Sequence, residues 1–167
     1  MKRFLCTLLS MTMILFLFVE PASAESRQAT TVSCSVAAKY IVNIPAFVEI
    51  TGDYACCDIT ASEVNIGTDK NLVVEFDLSQ TYVDGRFFLY TIPETRNGDS
   101  IECKLYVSSL EEDAAQNQVD QDYNAAACFS NGETTPNYQG RIWFYPQKEF
   151  SSPGNYSGTV YFKIYVQ

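Results

Sequence analysis

The sequence predicts an all-β fold: a single antiparallel, immunoglobulin-like β-sandwich of seven or eight strands that follows a cleaved signal peptide. Three observations lead there. Apolar and polar residues alternate with a period of two in short runs along the chain. Gly, Pro, Asn and Asp punctuate the gaps between the runs. Helical periodicity is nearly absent beyond Ala24.

The first segment has the layout of a secretory signal. Lys2 and Arg3 supply the positive start, Phe4 to Val19 an apolar run, and Ala22-Ser23-Ala24 a small-residue cleavage site. The run is short for a membrane span of about 20 apolar residues. Residues 1–24 are therefore expected to be removed, leaving 25–167 as one domain, secreted and without membrane insertion.

The strands follow in order. Tyr40, Val42 and Ile44 alternate with polar or outward positions until Pro45 stops them, and Cys57, Ile59 and Ala61 alternate with Asp58, Thr60 and Ser62. Leu72, Val74, Phe76 and Leu78 form a third strand, and Phe87 to Ile92 is a continuous apolar stretch ended by Pro93. Ile101, Cys103, Leu105 and Val107 share one face of a fifth, with Ala125 to Phe129 and Ile142 to Tyr145 next. Val160, Phe162, Ile164 and Val166 complete the set. Asp84-Gly85, Asn97-Gly98 and Asn131-Gly132 are hairpin dipeptides, because tight two-residue turns need positive φ at both central residues. Ser109 to Asn124, acidic and free of basic residues, reads either as a short helix or as a loop. No hydrophobic tail follows the last strand, so no C-terminal tether is expected.

Composition narrows the function. The 167 residues hold 11 Lys+Arg against 20 Asp+Glu, a net charge of -9, with no histidine. Removal of Lys2, Arg3 and Glu20 makes the remaining chain one charge more negative. Such a chain lacks the basic footprint of nucleic-acid binding. Without histidine there is no Ser-His-Asp or Cys-His catalysis and no imidazole ligand for a metal. Glu75 with Asp77 and Asp120 with Asp122 pair carboxylates as glycoside hydrolysis does, but the 19 acids that remain once Glu20 is removed make such pairs inevitable in a small domain. Asp120-x-Asp122-x-Asn124 begins like a calcium loop and then lacks its glycine and distal glutamate. No catalytic residue, metal or cofactor is expected.

The ending Pro153–Val166, PGNYSGTVYFKIYV, resembles the last strand of small secreted bacterial β-sandwich proteins. It is loosely similar to the final strand of spore-coat-U-type and chaperone-usher pilin subunits. Ala38–Gly52, AKYIVNIPAFVEITG, resembles the first strand of the same small secreted proteins. The resemblance implies an extracellular structural, fibre-forming or adhesive sandwich, and carries no catalytic residue with it.

Cysteines sharpen the expectation. Loss of Cys6 with the signal leaves Cys34, Cys56, Cys57, Cys103 and Cys128. In an oxidising compartment these are disulfide candidates, and five is odd. A Cys103–Cys128 bridge is expected to close the acidic segment. Cys56 and Cys57, adjacent on a strand, point to opposite faces. Cys57 is then the inward partner for Cys34, and Cys56 is the candidate free thiol, either an incidental one or a link between subunits.

The aromatics supply the candidate binding residues. Tyr161 and Tyr165 alternate with Phe162 and Ile164, Tyr106 alternates with Leu105 and Val107, and Trp143 is the one tryptophan. Exposed, such rings offer a flat apolar surface with a polar edge. The expected function is a non-enzymatic structural or adhesive role, with protein partners through self-association or a surface contact. In one version Ala29 to Val36 adds to a neighbour's sheet edge. The alternative is a monomeric module that binds carbohydrate or a host protein.

Overall fold

Strand β6 (Ser100–Ser109) shows how the sequence becomes architecture. Ile101, Cys103, Leu105 and Val107 are almost wholly buried, while Glu102, Lys104 and Tyr106 between them are half-buried on the opposite face. That is period-two alternation made physical: one edge of the pleat joins the core and the other does not. The computed structural model describes residues 37–92, 99–147 and 155–167. The expected signal peptide, Ala29 to Val36, Cys34, Asn97-Gly98 and Pro153-Gly154 lie outside the described residues.

The described chain is all-β, with antiparallel pairing throughout. Its strands are β1 (Lys39–Asn43), β2 (Ala55–Asp58), β3 (Thr60–Asn65), β4 (Asn71–Phe76), β5 (Phe88–Ile92), β6, β7 (Asn117–Gln118), β8 (Ala125–Ser130), β9 (Tyr138–Pro146), β10 (Asn155–Ser157) and β11 (Phe162–Val166). A single helical turn, α1 (Leu78–Thr81), follows β4. Leu78 was expected to extend the strand. Instead it starts the turn, where Thr81 and Tyr82 donate their backbone N–H groups to Asp77 and Leu78.

One sheet runs β10-β5-β6-β9-β8-β4-β11, with β2 added beside β9 and β7 beside β6; β1 and β3 form a second, two-stranded sheet. Strand β9 joins the parts of the large sheet. Its first residues pair with β8 (Ala127 with Gln139, Cys128 with Tyr138), and Gly140 to Pro146 pair with β6. The change occurs at Gln139 and Gly140, whose φ values are 56° and 121°. A Cβ on Gly140 would stand 2.4 Å from the Pro136 ring, so glycine is required there by conformation and by space.

The core draws on most of these strands. Val64, Leu72, Val74, Phe76, Phe87, Cys103, Leu105, Val107, Ala127, Phe129 and Ile142 form one continuous buried cluster. Asp84 and Gly85 both take positive φ, and Val83 and Arg86 exchange backbone hydrogen bonds, as the Asp-Gly dipeptide predicts. Asn131-Gly132 does something different. Seven residues separate β8 from β9, and the Asn131 Oδ1 accepts the backbone N–H of Ile66 at 2.8 Å and of Gly67 at 3.1 Å, fastening that loop to the β3–β4 connection. The acidic segment 109–124 is a loop carrying β7, without a helix. The Asp120 carboxylate accepts the N–H groups of Asp122 and Tyr123 and holds the local turn.

Candidate aromatic binding site

The outward face of β2, β6 and β9 gathers four rings. Register sets the arrangement. Tyr106 lies opposite Trp143 and Lys104 opposite Tyr145 between β6 and β9, and Cys56 lies opposite Trp143 between β2 and β9. Since Ile142 and Phe144 go to the core, Arg141, Trp143 and Tyr145 go outward. Tyr54, two residues before Cys56, reaches the same face. Its ring stacks on Tyr145 with centroids 5.2 Å apart and leans on Trp143 at 5.5 Å; Tyr106 meets Tyr145 edge-on at 5.5 Å.

The four rings have different roles. Trp143 is only 3% exposed, and its indole N–H donates to the Ser108 hydroxyl at 2.9 Å. It is the floor of the site. Tyr54, 49% exposed, is the top, with Tyr106 and Tyr145 half-buried beside it. Burial pushes the Tyr145 hydroxyl above its ordinary value, with Tyr54, Tyr106 and Cys56 adding to the shift, so it stays protonated and a donor at neutral pH. Arg141 frames one end. Its guanidinium sits 6.0 Å from the Trp143 ring, forks onto Asp58 at 2.6 and 3.0 Å, and donates to the Glu112 carbonyl at 3.0 Å. The Asp58 bond pushes the guanidinium further up, and the fork fixes its plane.

The other expected binding aromatics do not join this cluster. Tyr165 projects from β11 opposite Val73 on a different part of the sheet, where its hydroxyl bonds Glu75. Tyr161 lines a separate groove of about 500 Å³ together with Val83, Phe87, Phe88, Tyr90 and Thr91. The Thr91 hydroxyl there is buried without a hydrogen-bond partner among the described residues. Trp143 and Tyr106 are thus brought together, and Tyr161 and Tyr165 are not. Sequence reading passed over Tyr54, Tyr145 and Arg141. The signal for Tyr145 and Arg141 was their parity with Trp143; for Tyr54 it was parity with Cys56, once β2 is known to pair with β9.

No disulfide links the described cysteines: Cys56, Cys57, Cys103 and Cys128 are all thiols. The expected Cys103–Cys128 bridge is not formed, for a reason of parity. Cys103 points into the core, whereas Cys128 sits between buried Ala127 and Phe129 and so points outward. Cys57 turns inward and Cys56 is exposed, as adjacent strand residues must be. Burial pushes the Cys57 thiol up to about 11 and the Cys103 thiol up to about 12, so both stay protonated at neutral pH.

Of the paired carboxylates, Glu75, Asp77 and Asp120 have structural partners. Glu75 accepts from the Asn124 amide, and Asp77 binds the Ser79 hydroxyl and Lys163. Among the described residues no group of three or more Cys, Asp or Glu is placed to hold a metal ion. Comparison of the chain with protein-family models, with curated proteins and with solved structures gave no match.

Proposed function

We propose that the protein is a secreted, non-enzymatic, immunoglobulin-like β-sandwich that binds carbohydrate through the aromatic cluster on its outward face. The sandwich reading is supported by the shared core, to which β4 and β8 contribute from one part of the sheet and β5, β6 and β9 from the other. Secretion is supported by the signal-like start of the sequence.

One observation carries the binding reading: Tyr54 and Tyr106 both pack against Tyr145, and Tyr54 and Tyr145 lie against a buried, hydrogen-bonded Trp143. Rings so braced lose little side-chain freedom on binding, and a pyranose offers them a matching apolar face. Tyrosine hydroxyls at the margin supply polar contacts to sugar hydroxyls.

The test is binding to a panel of soluble polysaccharides by affinity electrophoresis. The wild-type chain is expected to be retarded by at least one of them. Tyr54→Ala should weaken that binding about tenfold, the loss of one stacked ring. Equal retardation of wild type and variant, or none at all, overturns the reading.

A second reading, assembly, is favoured by two strands. Among the described residues β2 and β11 each pair on one side only, and exposed Cys56 lies on β2. Size-exclusion chromatography with and without reductant separates the two: reductant-sensitive oligomers support assembly, and a monomer in both conditions removes it.

A further inference from the structure

The outward aromatic face also carries one ammonium with no carboxylate assigned to it. Six cations lie among the described residues. Lys39 pairs with Glu63, Arg86 with Glu102, Arg141 with Asp58 and Lys163 with Asp77. Lys70 is exposed in the turn before β4. Lys104 is the remaining one, and it makes no ion pair among the described residues. Its place is specific. It stands on β6 directly opposite Tyr145 and two residues before Tyr106, on the face away from the core. Side chains directly opposed across antiparallel strands have Cβ atoms about 5 Å apart. Glu102, two residues before Lys104 on the same face of β6, is already engaged by Arg86 at 3.3 Å.

In a chain with 20 acids and 11 bases, a cation left over beside stacked rings is a selective feature. We propose that the platform takes acidic glycans: a uronic acid residue stacks its apolar face on the exposed Tyr54 ring, which Tyr145 braces from below, and the Lys104 ammonium holds its carboxylate. The inference rests on the platform reading and adds the ligand's charge to it. Net negative charge does not oppose it at contact range. The screening length in physiological salt is about 8 Å, so a carboxylate beside Lys104 responds to that ammonium more than to the distant acids.

The test uses two oligosaccharides of one backbone, the β-1,4-linked mannuronate hexamer and β-1,4-mannohexaose, titrated calorimetrically into the folded protein at physiological salt. Wild type is expected to prefer the acid about fivefold, the range of one well-placed exposed ion pair. Lys104→Gln should weaken binding of the acid about fivefold more than binding of mannohexaose and so remove the preference, and Lys104→Arg should keep it. Tyr54→Ala should weaken both sugars together. Equal affinity of wild type for the two sugars, or a preference that survives Lys104→Gln, overturns the role of Lys104 and leaves the platform standing. No binding of either sugar by wild type overturns the acidic-glycan proposal, while the platform reading stands or falls with the polysaccharide panel.

Discussion

Strand β9 presents Arg141, Trp143 and Tyr145 outward, and β11 presents Lys163 and Tyr165. In the sequence the two look alike. In the fold they differ because β9 has neighbours on both sides and β11, among the described residues, has one. Rings on β9 therefore meet rings from β2 and β6, and four of them share a site. Tyr165 has no such ring contact and uses its hydroxyl on Glu75. An outward aromatic becomes part of a surface only where the sheet continues past it.

The comparison breaks most readily at its floor. Trp143→Ala removes a large, almost fully buried side chain and should cost about 3–5 kcal/mol, measured by denaturant unfolding. A cost below 1 kcal/mol would mean that the rings do not depend on one another. Ser108→Ala comes next. It leaves the Trp143 indole N–H without its acceptor in a buried place, a loss of about 1–3 kcal/mol in the same experiment.

On the β11 side the effects are smaller. Ser79 first, then Lys163, hold the Asp77 carboxyl below its ordinary value. A carboxylate with a lowered value in the folded state stabilises above its unfolded value, and that contribution is lost as pH falls through the lowered one. The difference in Tm between wild type and Asp77→Asn should thus narrow as pH drops below the ordinary 3.8, and a difference unchanged down to pH 2 would refute it. Tyr165→Phe should change stability by about 0.5 kcal/mol or less, because the residue is exposed on an edge strand.

Much of the fold was legible because burial follows period two. The alternation of Ile101, Cys103, Leu105 and Val107 reads directly as the inward face of β6, and the expected run Ile142 to Tyr145 lies within β9, which ends at Pro146. What alternation cannot give is adjacency. Nothing local in Tyr54 or Cys56 says that β2 lies beside β9, some 85 residues on, so the cluster they complete was invisible. The Cys103–Cys128 expectation failed for a related reason: a bridge was expected to close the acidic segment between two strand candidates, whereas facing places Cys103 inside and Cys128 outside. Leu78 fits a strand by hydropathy, but Asp77 and the backbone N–H groups after it prefer a turn.

The shared strand has a further consequence. Because β9 exchanges hydrogen bonds with β8 at one end and with β6 and β2 along the rest, neither flank can open without freeing backbone groups of the same segment. Amides of β4 and β8 on one side and of β6 on the other should then exchange with solvent through a single opening event. Strand β9 enters after most of the chain it joins, and its contacts with β2 and β6 span long stretches of sequence. Its docking sets when the protein becomes one cooperative body.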